Sequence, residues 1–116
     1  RGVDLKRGGI FPIVHGLRCL ALKHGIAQRN SFARCDALVQ AGGLDAMLAR
    51  DLSQTLAVLQ RLRLDAQLAT LDAGGVPDNF LQPAALRRLD RELLRDALRV
   101  VKAFQQHVRG VFHLSD

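Results

Sequence analysis

The sequence predicts an all-α protein, an antiparallel up-down four-helix bundle with two long C-terminal helices. Leu, Ala and Arg are the commonest residues of the 116, and all three favour helix. The chain has no Trp, no Tyr and only five Phe, so its core must consist mainly of aliphatic side chains. Apolar residues recur at intervals of three and four in four segments, and stretches with glycine or proline separate these segments.

The first helix is expected over residues 10–24. Pro12 falls in its first turn, where the missing N–H is tolerated, and Gly25 suits the position just after its end. Its core stripe consists of Ile10, Ile13, Val14, Leu17, Leu20 and Ala21. Arg18 lies about two turns into this helix beside the apolar stripe, so its guanidinium either extends to solvent or binds an anionic partner.

The second helix is expected over residues 31–41, with Asn30 or Ser31 as its N-cap and a glycine pair, Gly42 and Gly43, as its end. Its inner face consists of Phe32, Cys35, Leu38 and Val39. Arg34 lies beside that face, so a second cation is placed at the edge of the core.

The third helix is expected over residues 45–73, with Asp45 as its N-cap. Its apolar residues alternate spacings of four and three, the period of a bundle seam. That seam consists of Leu48, Leu52, Thr55, Leu59, Leu62, Ala66 and Ala69. Arg63 and Gln67 lie along its margin, whereas Arg61 and Asp65 form an i,i+4 pair that indicates surface support.

The fourth helix is expected over residues 83–111 and starts at Pro83, after a turn-rich loop. Its predicted seam consists of Leu86, Leu89, Leu93, Ala97, Val100, Phe104 and Val108, with Leu94 and Val101 broadening it. A cationic ridge lies away from this seam and is typical of a solvated face more than of a nucleic-acid interface. The ridge consists of Arg91, Arg95, Arg99 and Lys102.

Charge and composition restrict the partners and the location. The net charge is +6 and the pI is about 10.6, which suits nucleotide phosphates, nucleic acid or an acidic protein surface. Cys19 and Cys35 are too few for a disulfide scaffold and are expected to be small buried side chains in a reducing cytosol. No apolar run could span a bilayer and no signal-peptide pattern is present, so we expect a cytoplasmic domain over residues 1–116. The sequence does not begin with Met, so we expect it to be a fragment of a longer chain.

The residues that catalysis or metal binding would require are poorly represented. Asp90 and Glu92 form the acidic pair two residues apart, but on a helix they diverge, so the sequence predicts no catalytic metal site. His15 and Cys19 could make half of a zinc site, with no matching second pair. His24 and His107 lie at apolar stripe positions and are expected to be core or interface histidines.

The N-terminal segment is the strongest candidate for ligand binding. Lys6 and Arg7 directly precede Gly8 and Gly9, and an apolar helix follows. Glycines let a backbone approach a ligand, and a helix start offers unpaired N–H groups to an anion. The pattern alone favours a solvated basic turn before a core helix, so both interpretations stay open at this point.

Short motifs along nearly the whole chain carry a resemblance to a known family. They are Asp4–Gly9 with Phe11–Val14, Ala21–Leu22 with His24–Ile26, Arg34, Ala41–Gly42, Arg61–Arg63 with Gln67, Pro77–Asn79, and Leu93–Leu94 with Ala97. In these motifs the chain resembles the nucleotidyltransferase substrate-binding domain family. The segment from Lys6 to Gly9 is also similar, more distantly, to protein-PII uridylyltransferases.

The resemblance implies an accessory role in bacterial signal transduction. Domains of this family lie at the C-terminal end of signalling proteins, after a nucleotidyltransferase domain that often follows cyclic-nucleotide-binding or CBS domains. The upstream domain of the same chain would then hold the catalytic residues, Mg and the nucleoside triphosphate, and this fragment would hold no cofactor. Its partners would be a nucleotide or an acidic acceptor protein.

The residues themselves suggest which side chains would form the substrate or phosphate site. Arg suits bidentate phosphate contact, and several cations face inward or lie at helix margins. The candidate set is Lys6, Arg7, Gly8, Gly9, Arg18, Arg34, Arg63 and Gln67. We expect Lys6, Arg18 and Arg63 around one cleft in the full-length protein. The alternative for Arg34 is a pair with Asp4 or Asp78, which would make it structural.

A second class of function is a non-catalytic helical module that dimerises or docks sensor domains. In that case the cations would be solvated, and the protein could be a homodimer. A large exposed Leu/Val patch on the third and fourth helices would favour it. Cations lining a pocket would favour substrate binding instead.

Overall fold

A computed structural model describes residues 2–113, and its chain is 74% helical. The elements in order are β1 (Val3–Asp4), a π-helical turn (Lys6–Ile10), α1 (Phe11–Lys23), α2 (Ser31–Gln40), α3 (Ala46–Asp72), β2 (Phe80–Leu81), a 3₁₀ turn (Pro83–Ala85) and α4 (Arg88–Val111). The prediction of a helical protein is therefore confirmed in its broad form. Within the described part, four α-helices make up most of the structure, and α3 and α4 have 27 and 24 residues.

The helix starts that the sequence predicts at Asn30 and Asp45 are confirmed. The Asn30 side chain accepts hydrogen bonds from the backbone N–H groups two and three residues later, at 2.8 and 3.2 Å. Asp45 caps α3 in the same way, at 3.0 and 3.1 Å. Both caps satisfy N–H groups that the first helical turn leaves unpaired. After α1 and α2, the backbone turns through Gly25 and Gly42 at φ values of 68° and 72°, a conformation that favours glycine.

The start of α4 differs from the prediction. The helix begins at Arg88, and Pro83 instead opens a separate 3₁₀ turn that Leu86 closes by donating its N–H to the Pro83 oxygen at 3.1 Å. Leu86 itself is extended, with a ψ of 149°, and its oxygen accepts from Nη1 of Arg91 at 2.6 Å. Because the chain extends here, the continuous helix from residue 83 is wrong by about one turn and a half.

The buried face of α4 also differs from its predicted seam. The buried residues are Leu94, Ala97, Val101 and Phe104. Leu89 and Leu93 are 70% and 41% exposed, so the predicted seam at these two positions is wrong. Ala97 and Phe104 belong to the predicted seam and Leu94 and Val101 to its predicted broadening, so the inner face is correct at these four positions.

A small antiparallel sheet joins the N-terminus to the loop before α4, which corrects the expectation of no strand. Val3 pairs with Leu81 and Asp4 pairs with Phe80. The next residue, Leu5, is only 1% exposed and anchors this segment in the core. Strands of two residues are too short to produce an alternating pattern, so the sequence gives no sign of them.

The directions of the helices depart from the predicted up-down order. The α-carbon of Gly16 faces Phe104 and Val108, and Lys23 lies over the Phe112 ring, so residue numbers rise together along α1 and α4. These two helices therefore run parallel, whereas an up-down bundle would make them antiparallel. In residues 2–113, no helix has the length and apolar character that crossing a membrane requires.

Candidate functional site

The basic turn at the N-terminus is held by the carboxylate of Asp4. Oδ1 of Asp4 accepts from the backbone N–H groups of Lys6 and Arg7 at 3.0 and 2.9 Å. Two of the donors that could have met an external anion therefore already bind an internal one. The side chains of Lys6 and Arg7 remain exposed, so their charges face solvent.

The two predicted glycines of this turn have different surroundings. Gly8 is exposed, and a Cβ added there would meet nothing within 4 Å. Gly9 is buried, and a Cβ there would lie 2.9 Å from Cδ1 of Leu59 on α3. The close backbone approach that a glycine permits is thus made to the core at Gly9.

Arg63 and Gln67 on α3 hold the loop that precedes β2. Nε of Arg63 donates to Oδ1 of Asn79 at 2.7 Å, and Nε2 of Gln67 donates to the Asp78 oxygen at 3.3 Å. The backbone oxygen of Asn79 in turn accepts a hydrogen bond from the Leu5 N–H at 2.9 Å. Three motifs that are far apart in the sequence therefore meet around Asn79, and hydrogen bonds explain why they do.

Arg18 and Arg34 line a groove between α1 and α2, with a volume of about 530 Å³. We call it the α1–α2 groove. Arg29 also lines it, and no carboxylate in the described part of the chain does. Nε of Arg34 donates to the Gln28 oxygen at 2.8 Å, which fixes one edge of the guanidinium. Among the described residues, this backbone oxygen takes the place of the Asp4 or Asp78 partner that the sequence suggested.

The three cations expected around one cleft lie in two places. Arg63 is bonded to Asn79, which also binds Leu5, so it lies at the Lys6 end of α1. Arg18 is twelve residues beyond Lys6, roughly 18 Å along a helix at 1.5 Å per residue. The structure therefore brings Arg34 to Arg18 and brings Arg63 to the N-terminal segment.

A larger groove lies between α1 and the C-terminal half of α4, with a volume of about 820 Å³. We call it the α1–α4 groove. Its lining residues are Arg7, Phe11, Pro12, His15, Gly16, Cys19, Leu22, Lys23, Gln105, Val108, Arg109 and Phe112. No carboxylate from residues 2–113 is among them. The charged residues of the lining are Arg7, Lys23 and Arg109, beside an apolar floor.

Gly16 is the residue that allows this groove to form. A Cβ at Gly16 would lie 2.5 Å from Cε2 of Phe104 and 3.2 Å from Cγ2 of Val108. Because only glycine fits, α4 packs directly on the backbone of α1. On the rim, Phe11 and His15 stack with ring centroids 5.3 Å apart and an interplanar angle of 10°.

Of the residues that line this groove, only Arg7 was predicted from the sequence to bind a substrate. The signals that could have found it are the aromatic i,i+4 pair of Phe11 and His15 and the glycine within an apolar helix. Neither signal shows that a helix some 90 residues later completes the groove. The contact between Cys19 and His15, 3.7 Å from Sγ to Nε2, does not make a metal site, and no group of three metal-binding side chains exists within the described chain.

The remaining titratable groups with distinctive surroundings are structural. Burial raises the pKa of the Cys35 thiol, and a hydrogen bond with Ser53 opposes this effect. A hydrogen bond with Asp90 raises the pKa of Arg61. The same contact joins α3 to α4. His24 is exposed and packs on Gly43, so a core position is wrong for it.

His107 is half-buried beside the Phe104 ring, but its Nε2 has no hydrogen-bond partner in the part of the chain described. Its position in the core is close to the prediction, whereas its polar atom is not satisfied as a core histidine normally would be.

A comparison with protein families gives a match over almost the whole chain. The family model described as Putative nucleotidyltransferase substrate binding domain matches residues 1–112. No curated protein and no solved structure matches the chain. The match extends from the N-terminal basic turn to the end of α4, and so includes both grooves.

Proposed function

The chain belongs to the nucleotidyltransferase substrate-binding domain family, and from this premise we propose that it is an accessory domain that holds substrate for a nucleotidyltransferase domain in the same polypeptide. The parent protein in this proposal is a cytoplasmic bacterial signalling protein with CBS or cyclic-nucleotide-binding domains. Mg²⁺ and the nucleoside triphosphate would meet at the catalytic domain. This chain would position the nucleotide or an acidic acceptor.

The observation that carries the proposal is the pair of basic grooves on either side of α1, which no carboxylate of the described residues lines. Arg18, Arg29 and Arg34 line one groove, and Arg7, Lys23 and Arg109 line the other. The substrates of nucleotidyl transfer carry phosphate charges, and grooves lined by one sign of charge attract the opposite sign. None of the acidic residues at positions 2–113 lines either groove, so this part of the domain is suited to bind such substrates.

The catalytic carboxylates belong to the other domain in this account. Metal-assisted nucleotidyl transfer requires acids that hold ions close together. Asp90, one member of the acidic pair two residues apart, is instead bonded to Arg61 at 3.0 Å. It serves to join α3 and α4.

The test measures nucleotidyl transfer by the full-length protein that carries this chain. We expect Arg18→Glu to raise the KM for one substrate with a smaller effect on kcat, because the charge reversal repels phosphate without touching the catalytic residues. Arg95→Glu on the exposed face of α4 is the matched control and should leave KM unchanged. The isolated 116-residue chain should transfer nothing. Unchanged KM values after deletion of this domain would contradict the proposal.

A helical docking or dimerisation module is the second candidate, and one exposed stripe on α3 favours it. Leu64, Leu68 and Leu71 recur at helical spacing and are 55%, 50% and 55% exposed. Exposed apolar rows of this kind mark contact surfaces. Sedimentation of the chain should give a dimer that the Leu64→Ser, Leu68→Ser double variant converts to a monomer, whereas a monomeric parent chain rules dimerisation out.

A further inference from the structure

We propose that the α1–α4 groove is a nucleotide site, in which the base lies against Phe11 and His15 and the phosphates lie towards Lys23 and Arg109. The inference rests on the proposed function and deepens it, because it assigns one substrate to one of the two grooves. The argument uses the shape of the groove, its aromatic rim, its charge and the spacing between the two ends.

The size and lining of the groove match those of small-molecule sites. Its volume of about 820 Å³ falls within the range of about 300–1,000 Å³ that is typical of ligand pockets. Gly16, Cys19 and Val108 give it a largely apolar floor. Polar groups stand at the ends, which is the arrangement that fixes the orientation of a ligand with one apolar part and one charged part.

The aromatic rim supplies a stacking surface for a base. The Phe11 and His15 rings are nearly parallel, with 10° between their planes, and Phe11 is 54% exposed. A large aromatic side chain so exposed on a helix beside a groove has an unoccupied face. Bases stack on such faces with little dependence on their identity.

The charges place the phosphates at the opposite end from Phe11. Lys23 is eight residues beyond His15, roughly 12 Å along the helix axis, which is a suitable separation for a base and the far phosphates of a triphosphate. The Lys23 ammonium lies 5.7 Å from the centroid of the Phe112 ring, so its side chain points across the groove. Arg109 lines the same end of the groove from α4.

The two grooves differ in a way that favours this one for a nucleotide. The α1–α2 groove holds three arginines but no aromatic ring among its lining residues, so it offers charge without a stacking surface. The α1–α4 groove offers both. An acidic acceptor protein requires only charge, and it is the natural occupant of the other groove in the proposed function.

The test is a calorimetric titration of the 116-residue chain with ATP, adenosine and inorganic triphosphate. Phe11→Ala should weaken the binding of ATP and of adenosine to a similar extent, by at least about fivefold, because the base of each ligand loses a stacking partner. Lys23→Ala should weaken ATP by about tenfold and leave adenosine unchanged, because it removes one charge-assisted contact to phosphate. Both side chains lie at the rim, so neither variant should unfold the domain.

Matched controls keep the test specific. Phe32→Ala removes another exposed ring, on α2 and outside the groove, and Arg95→Ala removes an exposed cation from the outer face of α4. Neither should change ATP binding. If Arg18→Ala lost ATP binding and Lys23→Ala kept it, the inference would be overturned, while the proposed function would stand.

Two further outcomes would also overturn the inference. No binding of ATP to the chain would do so, and so would a bound ATP that Phe11→Ala and Lys23→Ala both leave unchanged. The transfer assay with Arg18→Glu then decides separately whether the domain holds the acceptor. An acidic peptide that displaces ATP at unchanged ionic strength is a further outcome. If Phe11→Ala then weakens binding of the peptide and leaves ATP binding unchanged, the groove is the acceptor site instead.

Discussion

Arg63 on α3 donates from Nε to Oδ1 of Asn79 over 2.7 Å, and this hydrogen bond fixes the loop to which the N-terminus of the chain is attached. The Asn79 backbone accepts from Leu5, so one residue connects α3 to the segment that leads into α1. Arg63, which the sequence suggests as a phosphate-binding cation, therefore has a structural role as well, because it orders this end of the domain.

Removal of this hydrogen bond should lower the stability of the domain. In a double-mutant cycle of Arg63→Ala and Asn79→Ala, we expect a coupling of about 1.5–3 kcal/mol, the range for hydrogen bonds to charged groups. Urea unfolding of the four proteins measures it. Additive effects of the two substitutions would show that the bond contributes little.

Burial on α3 and α4 should determine the stability of the core. Leu59 and Phe104 are both fully buried, so their replacement by Ala should lower the free energy of unfolding by about 2–5 kcal/mol. Arg95 is exposed on the outer face of α4, and Arg95→Ala should change it by less than about 0.5 kcal/mol. Chemical denaturation compares the three variants, and equal changes at inner and outer sites would mean that the faces are misassigned.

Two helical glycines should respond in opposite directions to alanine. Gly16→Ala forces a methyl group against Phe104, so we expect a loss of about 1–3 kcal/mol, as for other overpacked sites. Gly8→Ala meets open space in a helical turn and should stabilise the domain by about 0.5–1 kcal/mol. Unfolding midpoints in urea give both values. A neutral Gly16→Ala would show that α1 and α4 can separate without loss of stability.

Much of the local structure follows from the sequence because it depends on neighbouring residues. Asn30 and Asp45 cap helices through N–H groups two and three residues away, and such contacts are visible in the sequence. The parallel direction of α1 and α4 is different, because it is set by contacts such as that of Gly16 with Phe104, which lie about 90 residues apart in the sequence. A contact over this separation leaves no periodic signal, so the sequence favoured the common up-down order instead.

The candidate site was predicted only in its charges. The arginines were found because an isolated cation on an apolar face is conspicuous in a sequence. Which cations meet was not predictable, since a hydrogen bond draws Arg63 to Asn79 and the turn after α1 places Arg34 beside Arg18. The α1–α4 groove requires Gly16 on one helix and Phe104 on another, and only the packed structure shows that combination.

The buried thiol should make stability depend on pH in the alkaline range. Burial raises the pKa of Cys35 above its ordinary value, so the folded state favours the neutral thiol. The unfolded state ionises first as pH rises, and the stabilisation, fully present below the ordinary pKa of about 8.5, is lost above it. We expect the free energy of unfolding of the parent chain to fall more steeply between about pH 8.5 and 10 than that of Cys35→Ala. Parallel pH profiles would contradict the burial effect.

The most direct test of substrate binding by this domain is the thermal unfolding midpoint of the 116-residue chain with and without ATP at low and high chloride. A ligand that binds only the folded state raises the midpoint, and binding through phosphate weakens with salt. The account predicts a rise with ATP that fades as chloride increases and that adenosine reproduces only in small part. A midpoint that ATP leaves unchanged at low salt would contradict it.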